Sequence, residues 1–99
     1  MSALLKSTAS PRRLELHLPA SSPFLDIVDM AAHVYVSAVP GGSALGEQVE
    51  IEILKTARVL VTDGATALIV VLEYTSPTVR ATVSGKGVTA PPTMLEWTV

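Results

Sequence analysis

Residues Gly64 to Gly87 read Gly-Ala-Thr-Ala-Leu-Ile-Val-Val-Leu-Glu-Tyr-Thr-Ser-Pro-Thr-Val-Arg-Ala-Thr-Val-Ser-Gly-Lys-Gly. The first arm is aliphatic and β-branched, which suits a buried, pleated strand. The second arm alternates apolar and polar residues from Val79 to Ser84. Because proline presets a turn dihedral and lacks a backbone donor, Pro77 belongs in the connection between them. This stretch therefore predicts an antiparallel hairpin with its turn at Ser76-Pro77.

The first arm of this hairpin is apolar on both faces. Period-two alternation puts Leu68, Val70, Leu72 and Tyr74 on one face and Ala67, Ile69 and Val71 on the other. A sheet with one solvated face normally shows polar residues on that face. We therefore expect something to cover the second face.

The composition excludes some kinds of site and argues against one kind of partner. The 99 residues indicate a single domain, and the absence of cysteine excludes disulfides and thiolate metal sites. The formal net charge of -2, without a basic stripe, argues against nucleic acid as a partner. A hydrophobic content of 48% against 16% charged residues favours an assembly surface beside the core.

The sequence predicts neither a membrane-spanning helix nor an amino-terminal targeting segment. The longest apolar run, Ala67 to Leu72, is far shorter than the roughly 20 residues that a membrane-spanning helix needs. The apolar patch Ala3-Leu4-Leu5 is too short for the core of a signal peptide. We expect a cytoplasmic protein with a flexible arm over residues 1–11 and one α+β domain over residues 12–99, ordered from near Arg12.

Before the hairpin, the pattern predicts a strand and then a helix. Leu14, Leu16 and Leu18 alternate with polar residues until Pro19. Ser22 is a suitable helix N-cap and Pro23 a suitable first helical residue. Apolar residues then recur at helical spacing until Pro40-Gly41-Gly42 ends the helix. The apolar positions are Phe24, Ile27, Val28, Ala31, Tyr35 and Ala38.

Residues 47–63 fit two structures. Val49 to Ile53 alternate like a strand, yet Val49, Ile53, Ala57 and Leu60 also form a helical stripe. Seventeen residues without a turn are long for a strand and ordinary for a helix, so the length favours a helix capped by Gly64. After the hairpin, Leu95, Trp97 and Val99 alternate in a last strand. The order β-α-α-β-β-β predicts two helices on one face of a mainly antiparallel sheet, a two-layer α+β sandwich.

No catalytic, cofactor or metal site is predicted. His17 reads as part of a solvated strand face, and the acids Asp26 and Asp29 favour the start of a helix. His33 stands alone, without the orienting partners that catalysis needs. The glycines between Gly41 and Gly46 lack the lysine of a phosphate loop.

The chain resembles the anti-sigma-factor kinases of the Bergerat-fold (GHKL) ATPase group between about Arg13 and Pro92. Arg-Leu-Glu-Leu-His-Leu-Pro-Ala resembles their opening strand, and Phe-Leu-Asp-Ile-Val-Asp their first helix. Residues Gln48 to Ile53 resemble the start of their nucleotide-binding helix. The stretch from Gly64 to Gly87 resembles their central hairpin.

The chain departs from this family at the nucleotide site. The resemblance puts Lys55 where the family has the Glu that activates water, and Val59 where it has the Asn that holds magnesium. Lysine cannot act as that base, and valine offers magnesium no oxygen. The adenine-reading Asp has no counterpart in Ser84-Gly85-Lys86-Gly87, and the chain contains no Asn. The resemblance therefore implies a shortened relative with a lost nucleotide site.

The comparison also predicts an interface. The family positions that match Ile69 and Val71 are mostly polar, so aliphatic residues there imply a covered surface. We expect a homodimer or a docked protein partner, such as a sigma factor or a regulator, on the face that carries Ile69, Val71, Arg80 and Thr82. In the alternative, Ala3-Leu4-Leu5 folds back over this face.

These features predict a non-catalytic regulatory module that binds protein, in the manner of partner-switching anti-sigma regulators. The first alternative is an ATP-binding anti-sigma-type serine kinase domain. A small-molecule-binding α+β domain remains a second alternative. An enzyme of another class is disfavoured, because the Gly-x-Ser-x-Gly nucleophile elbow is absent.

Overall fold

A computed structural model describes residues 6–10 and 13–99 of the chain. From Arg13 onward, its elements follow the predicted order of one strand, two helices and three strands, and the α+β fold is confirmed. The elements are β1 (Lys6–Ser10), β2 (Arg13–Pro19), α1 (Ser22–Ala38), a short 3-10 helix (Ser43–Leu45), α2 (Gly46–Thr62), β3 (Ala67–Thr75), β4 (Thr78–Lys86) and β5 (Thr93–Thr98).

Strand β1 differs from the sequence expectation. We expected the first ordered element near Arg12 and a flexible arm over residues 1–11, but Lys6–Ser10 pairs antiparallel with β2. The pairing is possible because the edge of β2 that faces away from β3 offers free backbone donors and acceptors. Residues 1–5, including Ala3-Leu4-Leu5, lie outside the described residues, as do residues 11 and 12.

The sheet is antiparallel throughout, with strand order β1-β2-β3-β4-β5. The two helices are inserted between β2 and β3, which are nevertheless neighbours in the sheet. The predicted hairpin is confirmed: Thr75 of β3 faces Thr78 of β4 across the Ser76-Pro77 turn, whose peptide bond is cis. This hairpin occupies the centre of the sheet.

One hydrophobic core fills the space between the helices and one face of the sheet. Helix α1 packs over β2 and β3, and α2 packs over β4 and β5. The largest fully buried side chains come from both layers. They are Leu18, Val28, Val36, Val49, Ile53, Leu68, Val70, Leu72, Val79 and Val83.

Helix α1 begins one residue earlier than predicted. Its N-cap is Ser21, with the extended backbone (φ -141°, ψ 157°) typical of that position, and not Ser22. The Ser21 side chain makes no capping hydrogen bond. Pro23 is accommodated in the first turn, where a missing N–H leaves no intrahelical hydrogen bond unmade.

Residues 46–62 form a helix, which resolves the ambiguity of the sequence. The predicted cap at Gly64 is confirmed, since Gly64 has a φ of +96° directly after the C-cap residue Asp63. Gly64 N–H donates to Val61 O (3.1 Å) and Ala65 N–H donates to Leu60 O (3.0 Å). These two bonds form a Schellman motif, which satisfies carbonyls at the end of the helix and turns the chain into β3.

Candidate functional site

The face of the sheet that points away from the helices is the first candidate site. In β3, Leu68, Val70 and Leu72 are buried beneath the helices, while Ile69 and Val71 point to the opposite side and are half-buried. Both described helices lie on the first side. The sequence correctly separated the two faces of this strand. Within residues 6–10 and 13–99, no further layer covers the second face.

The register brings the predicted interface residues onto this face. Val71 lies directly opposite Thr82, and Ile69, two pairs along on the same face, lies opposite Ser84. Arg80 lies two pairs away in the other direction, opposite Glu73. The predicted residues therefore form one patch, with the aliphatic side chains on β3 and the polar ones on β4.

Met94 extends this patch and was missed by the sequence reasoning. It lies opposite Thr82 on the next strand, and 58% of its surface is exposed. Its alternation with the buried-face residues Leu95 and Trp97 was the available signal. Ile69, Val71 and Met94, with Thr82 between the last two, are called the outer strip below.

A row of charges borders the outer strip. Successive cross-strand partners are Arg13, Glu73, Arg80 and Glu96, which alternate in sign across four strands. Arg80 donates from Nε (3.2 Å) and Nη2 (3.0 Å) to Glu96 Oε2. The Arg80 and Glu96 side chains are 47% and 50% exposed, so this ion pair contributes little to stability and more to the charge pattern of the surface.

A second set of polar groups lies along β2 on the same face. Glu15 accepts from Arg13 Nη2 at 2.8 Å, and its other oxygen lies 2.5 Å from His17 Nε2. The hydrogen bond with His17, and then the nearby Arg13 charge, hold the pKa of Glu15 below its ordinary value. His17 therefore belongs to a solvated strand face, as the sequence predicts.

Three titratable side chains meet between the helices. His33 Nδ1 on α1 lies 2.8 Å from Glu50 Oε2 on α2, so the expectation that His33 lacks an orienting partner is wrong. The partner stands 17 residues away and could not be read from local spacing. Asp29 lies beside them, with Oδ1 buried and unpaired. Burial, and then the neighbouring Glu50 carboxyl, raise the pKa of Asp29 above 3.8.

The contact between His33 and Glu50 links α1 to α2. Among the described residues there is no group of three or more His, Cys, Asp or Glu that could bind a metal ion.

Helix α2 carries two adjoining grooves. One, of about 580 Å³, runs along the exposed side of the helix between Ile51 and Asp63. The other, of about 430 Å³, lies between α2 and the edge of the sheet, with Leu95 and Thr93 of β5 on its far wall. Lys55 and Val59 line both grooves. These are the two positions that the sequence resemblance compares with a water-activating Glu and a magnesium-binding Asn, and they lie four residues apart on the helix.

Glu52 and Trp97 connect this helix to β5. Trp97 Nε1 donates to Glu52 Oε2 at 2.5 Å, and Trp97 is only 7% exposed. A buried indole N–H needs such an acceptor, so the contact fixes β5 against α2.

Comparisons with models of known protein families, with curated proteins and with solved structures find no match. No helix in the described part of the chain is long and apolar enough to cross a membrane. The function is therefore argued from the geometry of the outer strip and of the helix α2 grooves.

Proposed function

We propose that this chain is a non-catalytic regulatory module that binds another protein through the outer face of its sheet. The observation that carries this proposal is the outer strip, where Ile69, Val71 and Met94 stand on a face that neither helix covers. Full burial of an aliphatic side chain contributes about 1.5 to 3 kcal/mol, so a partner that covers this strip gains substantial binding energy.

The surroundings of the strip favour a protein surface as the partner. The border of alternating charges, Arg13, Glu73, Arg80 and Glu96, offers both signs within one row. A nucleic acid or an anionic lipid surface would favour a single positive field, whereas the chain has a net charge of -2. An aliphatic centre with a mixed polar rim is the usual anatomy of a protein interface.

The proposed role is that of a partner-switching regulator in the cytoplasm, similar to an anti-sigma factor. Its support is the resemblance of residues 13–92 to anti-sigma-factor kinases, together with the loss of that family's nucleotide chemistry. Lys55 and Val59 line the groove on α2, and neither supplies a base or an oxygen ligand for magnesium. A sigma factor or its regulator is the expected partner.

The test compares two single substitutions that place the same charge on different faces. Val71→Lys charges the centre of the outer strip, and Val34→Lys charges an exposed valine on α1. After affinity capture from the native cell extract, the purified partner is titrated against each variant by calorimetry. We expect Val71→Lys to weaken binding by at least about tenfold, since one buried aliphatic contact is worth about 1.4 kcal/mol or more. Val34→Lys is expected to bind as the unsubstituted chain does.

Two results would overturn the proposal. One is equal binding by the two variants. The other is a strict monomer that captures no specific partner. Both variants are first checked by circular dichroism, so that loss of the fold is not mistaken for loss of binding.

The groove between α2 and β5 supports a second candidate, which is binding of a small molecule. Its volume of about 430 Å³ lies within the range of ligand pockets, and Lys55 and Asp63 provide polar groups beside apolar walls. If the groove retains the family's ligand, ATP with magnesium should release or absorb heat in calorimetry. We expect no ATP binding, and a saturable signal would favour the ATP-binding alternative.

A further inference from the structure

The exposed side of helix α2 carries a groove between two ridges of its own side chains. The groove has a volume of about 580 Å³, and every residue that lines it belongs to α2 or to the C-cap residue that follows. The lining forms two rows with four-residue spacing, which are Ile51, Lys55, Val59 and Asp63 in one row and Leu54, Arg58 and Thr62 in the other. Side chains four residues apart form a ridge on a helix, and the space between two such ridges accepts a ridge of a second helix.

A single helix gives this groove only one wall. Small-molecule sites bury about 70 to 90% of the ligand's surface, which needs walls on several sides. A small molecule bound here would stay open to solvent on the side that faces away from α2. A second helix, in contrast, brings ridges of its own and closes the groove from above. The shape of this groove therefore fits a helix of another protein.

Apolar side chains in the groove are left in contact with solvent. Ile51 and Val59 are 56% and 55% exposed, and Leu54 is partly exposed. Ile51 and Val59 are eight residues apart, so about 12 Å of helix axis separates them. An amphipathic helix that binds along such a surface uses apolar anchors spaced three or four residues apart. The apolar residues of the groove therefore call for an apolar row on the partner.

Two cations without an ion-pair partner lie in the middle of the groove. Lys55 and Arg58 are each the second residue of their row, and both are exposed. Neither makes a salt bridge with any described residue, whereas Arg13 and Arg80 each have a glutamate partner. Charge complementarity therefore selects an acidic helix. Asp63 lines the end of the groove and repels acidic groups there, so the partner's carboxylates belong over the middle.

We propose that α2 docks an amphipathic helix of a partner protein, in which a row of apolar residues is flanked on each side by Glu or Asp. The apolar row lies between the two ridges of α2, and the flanking carboxylates pair with Lys55 and Arg58. Because rows with four-residue spacing interlock on both helices, the two axes cross at about −50°. This surface is separate from the outer strip, so the proposal does not depend on the outer-face function.

The first experiment uses a matched pair of synthetic peptides as probes. Each is an Ala-based helix of about 18 residues, long enough to be helical in isolation, with Leu in one row of four-residue spacing. The acidic peptide has Glu in the two neighbouring rows, and the basic peptide has Lys at the same positions. In calorimetry, we expect the acidic peptide to bind saturably with a dissociation constant below about 1 mM, and the basic peptide to bind at least about tenfold more weakly. Equal affinities, or no saturable binding of the acidic peptide, overturn the proposal.

The place of binding is measured from the amide chemical shifts of the isotope-labelled protein. We expect the acidic peptide to shift the amides of residues 51–63 and to leave those of β3 and β4 unchanged. Shifts confined to the outer strip, or to the exposed α1 residues Met30 and Val34, would show that the peptide binds elsewhere and that the proposal is wrong.

A charge reversal in the groove is compared with the same reversal outside it. Lys55→Glu changes the middle of the groove, and Lys86→Glu changes an exposed lysine on β4 that also lacks a salt bridge to any described residue. We expect Lys55→Glu to weaken the acidic peptide at least about tenfold and to strengthen the basic one, while Lys86→Glu changes neither. Equal effects of the two variants would mean that net charge governs binding, which contradicts the proposal. Circular dichroism first verifies that both variants fold.

An apolar helix surface with two cations also suits an anionic membrane. Asp63 in the groove and the net charge of -2 oppose that occupant. We therefore expect the protein to stay in the supernatant when it is sedimented with vesicles of phosphatidylserine and phosphatidylcholine. Cosedimentation that Lys55→Glu abolishes would overturn the proposal in favour of a lipid surface.

The variant Val71→Lys separates this proposal from the outer-face function. It is expected to bind the acidic peptide as the unsubstituted chain does. If Val71→Lys loses the peptide while Lys55→Glu keeps it, the peptide occupies the outer strip and the α2 proposal is wrong. If Lys55→Glu loses the peptide while only Val71→Lys loses the captured partner, both proposals stand. Failure of one can therefore be told from failure of the other.

Discussion

At the scale of single residues, the Asp29 carboxyl has the least favourable environment of the polar groups in the described structure. Its Oδ1 is buried without a hydrogen-bond partner, and Glu50 and Asp26 add negative charge nearby. His33 is the one neighbour that favours the ionised form. Because burial and these carboxylates raise the pKa of Asp29, the protonated acid suits the folded state better than the carboxylate does.

We predict that Asp29→Asn makes the protein more stable at neutral pH. In the unfolded chain Asp29 ionises near its ordinary value of 3.8, whereas in the folded chain it ionises at a higher pH. Its contribution to stability is therefore present below pH 3.8 and is lost as pH rises through the raised pKa. The amide stays neutral, so its advantage should grow with pH to on the order of 1 kcal/mol at pH 7.

Urea unfolding between pH 3 and pH 8 measures this difference. Asp63→Asn changes an exposed aspartate at the end of α2 and serves as the control. An advantage for Asp29→Asn that is the same at every pH would show that the effect does not come from ionisation.

At the scale of elements, the turn between the helices contains two glycines: Gly41 has a positive φ of 77°, and Gly42 is needed for a different reason. Gly42 has a φ of -85° and a ψ of -11°, which any residue can adopt, so the need for glycine is steric. A Cβ at this position would lie 2.1 Å from Val36 O in the last turn of α1 and 3.1 Å from Val39 O of the C-cap residue. The close approach lets Gly42 N–H donate to Val39 O at 2.8 Å, and Gly42 O accepts from Leu45 N–H at 2.9 Å in the 3-10 helix that leads into α2.

We predict that Gly42→Ala destabilises the protein by about 2 to 3 kcal/mol, because backbone cannot move aside as a side chain can. Thermal and urea unfolding measure the change. Ser43→Ala, at the next and exposed position, should stay within about 0.5 kcal/mol of the unsubstituted protein. Similar losses in the two variants would mean that the turn is sensitive for another reason.

The elements themselves were largely predictable from the sequence, since each has a periodic pattern and a terminator. The helical prediction for residues 47–63 was correct, because their length and Gly64 outweighed the local alternation, and the helix runs from Gly46 to Thr62. Strand β1 was not predictable, because Lys-Ser-Thr-Ala-Ser has no apolar alternation and acquires its order from pairing with β2. The side-chain contacts of the candidate sites were harder to predict from the sequence. His33 with Glu50, and Trp97 with Glu52, are contacts between elements and leave no local signal.

At the scale of the whole molecule, one core joins every element from β2 to β5. Val28, Ile53, Leu72 and Val83 belong to the same cluster although they come from two helices and two strands. The Glu52–Trp97 hydrogen bond adds a tie between α2 and the last strand. A domain of this size with a single core is expected to unfold in one step.

We predict a single cooperative transition in urea with coincident midpoints from two probes. Far-UV circular dichroism follows the helices and strands, and the fluorescence of Trp97, the one tryptophan in the chain, follows the contact of β5 with α2. Midpoints that differ would show that β5 detaches before the core melts.

The helical layer and the outer face of the sheet offer two separate surfaces to binding partners. Since the helices and the bare side of the sheet face in opposite directions, a molecule seated on Val71 would not sterically obstruct one that touches Met30 or Val34. Two macromolecules bound to opposite layers could therefore occupy the protein at the same time, without either displacing the other.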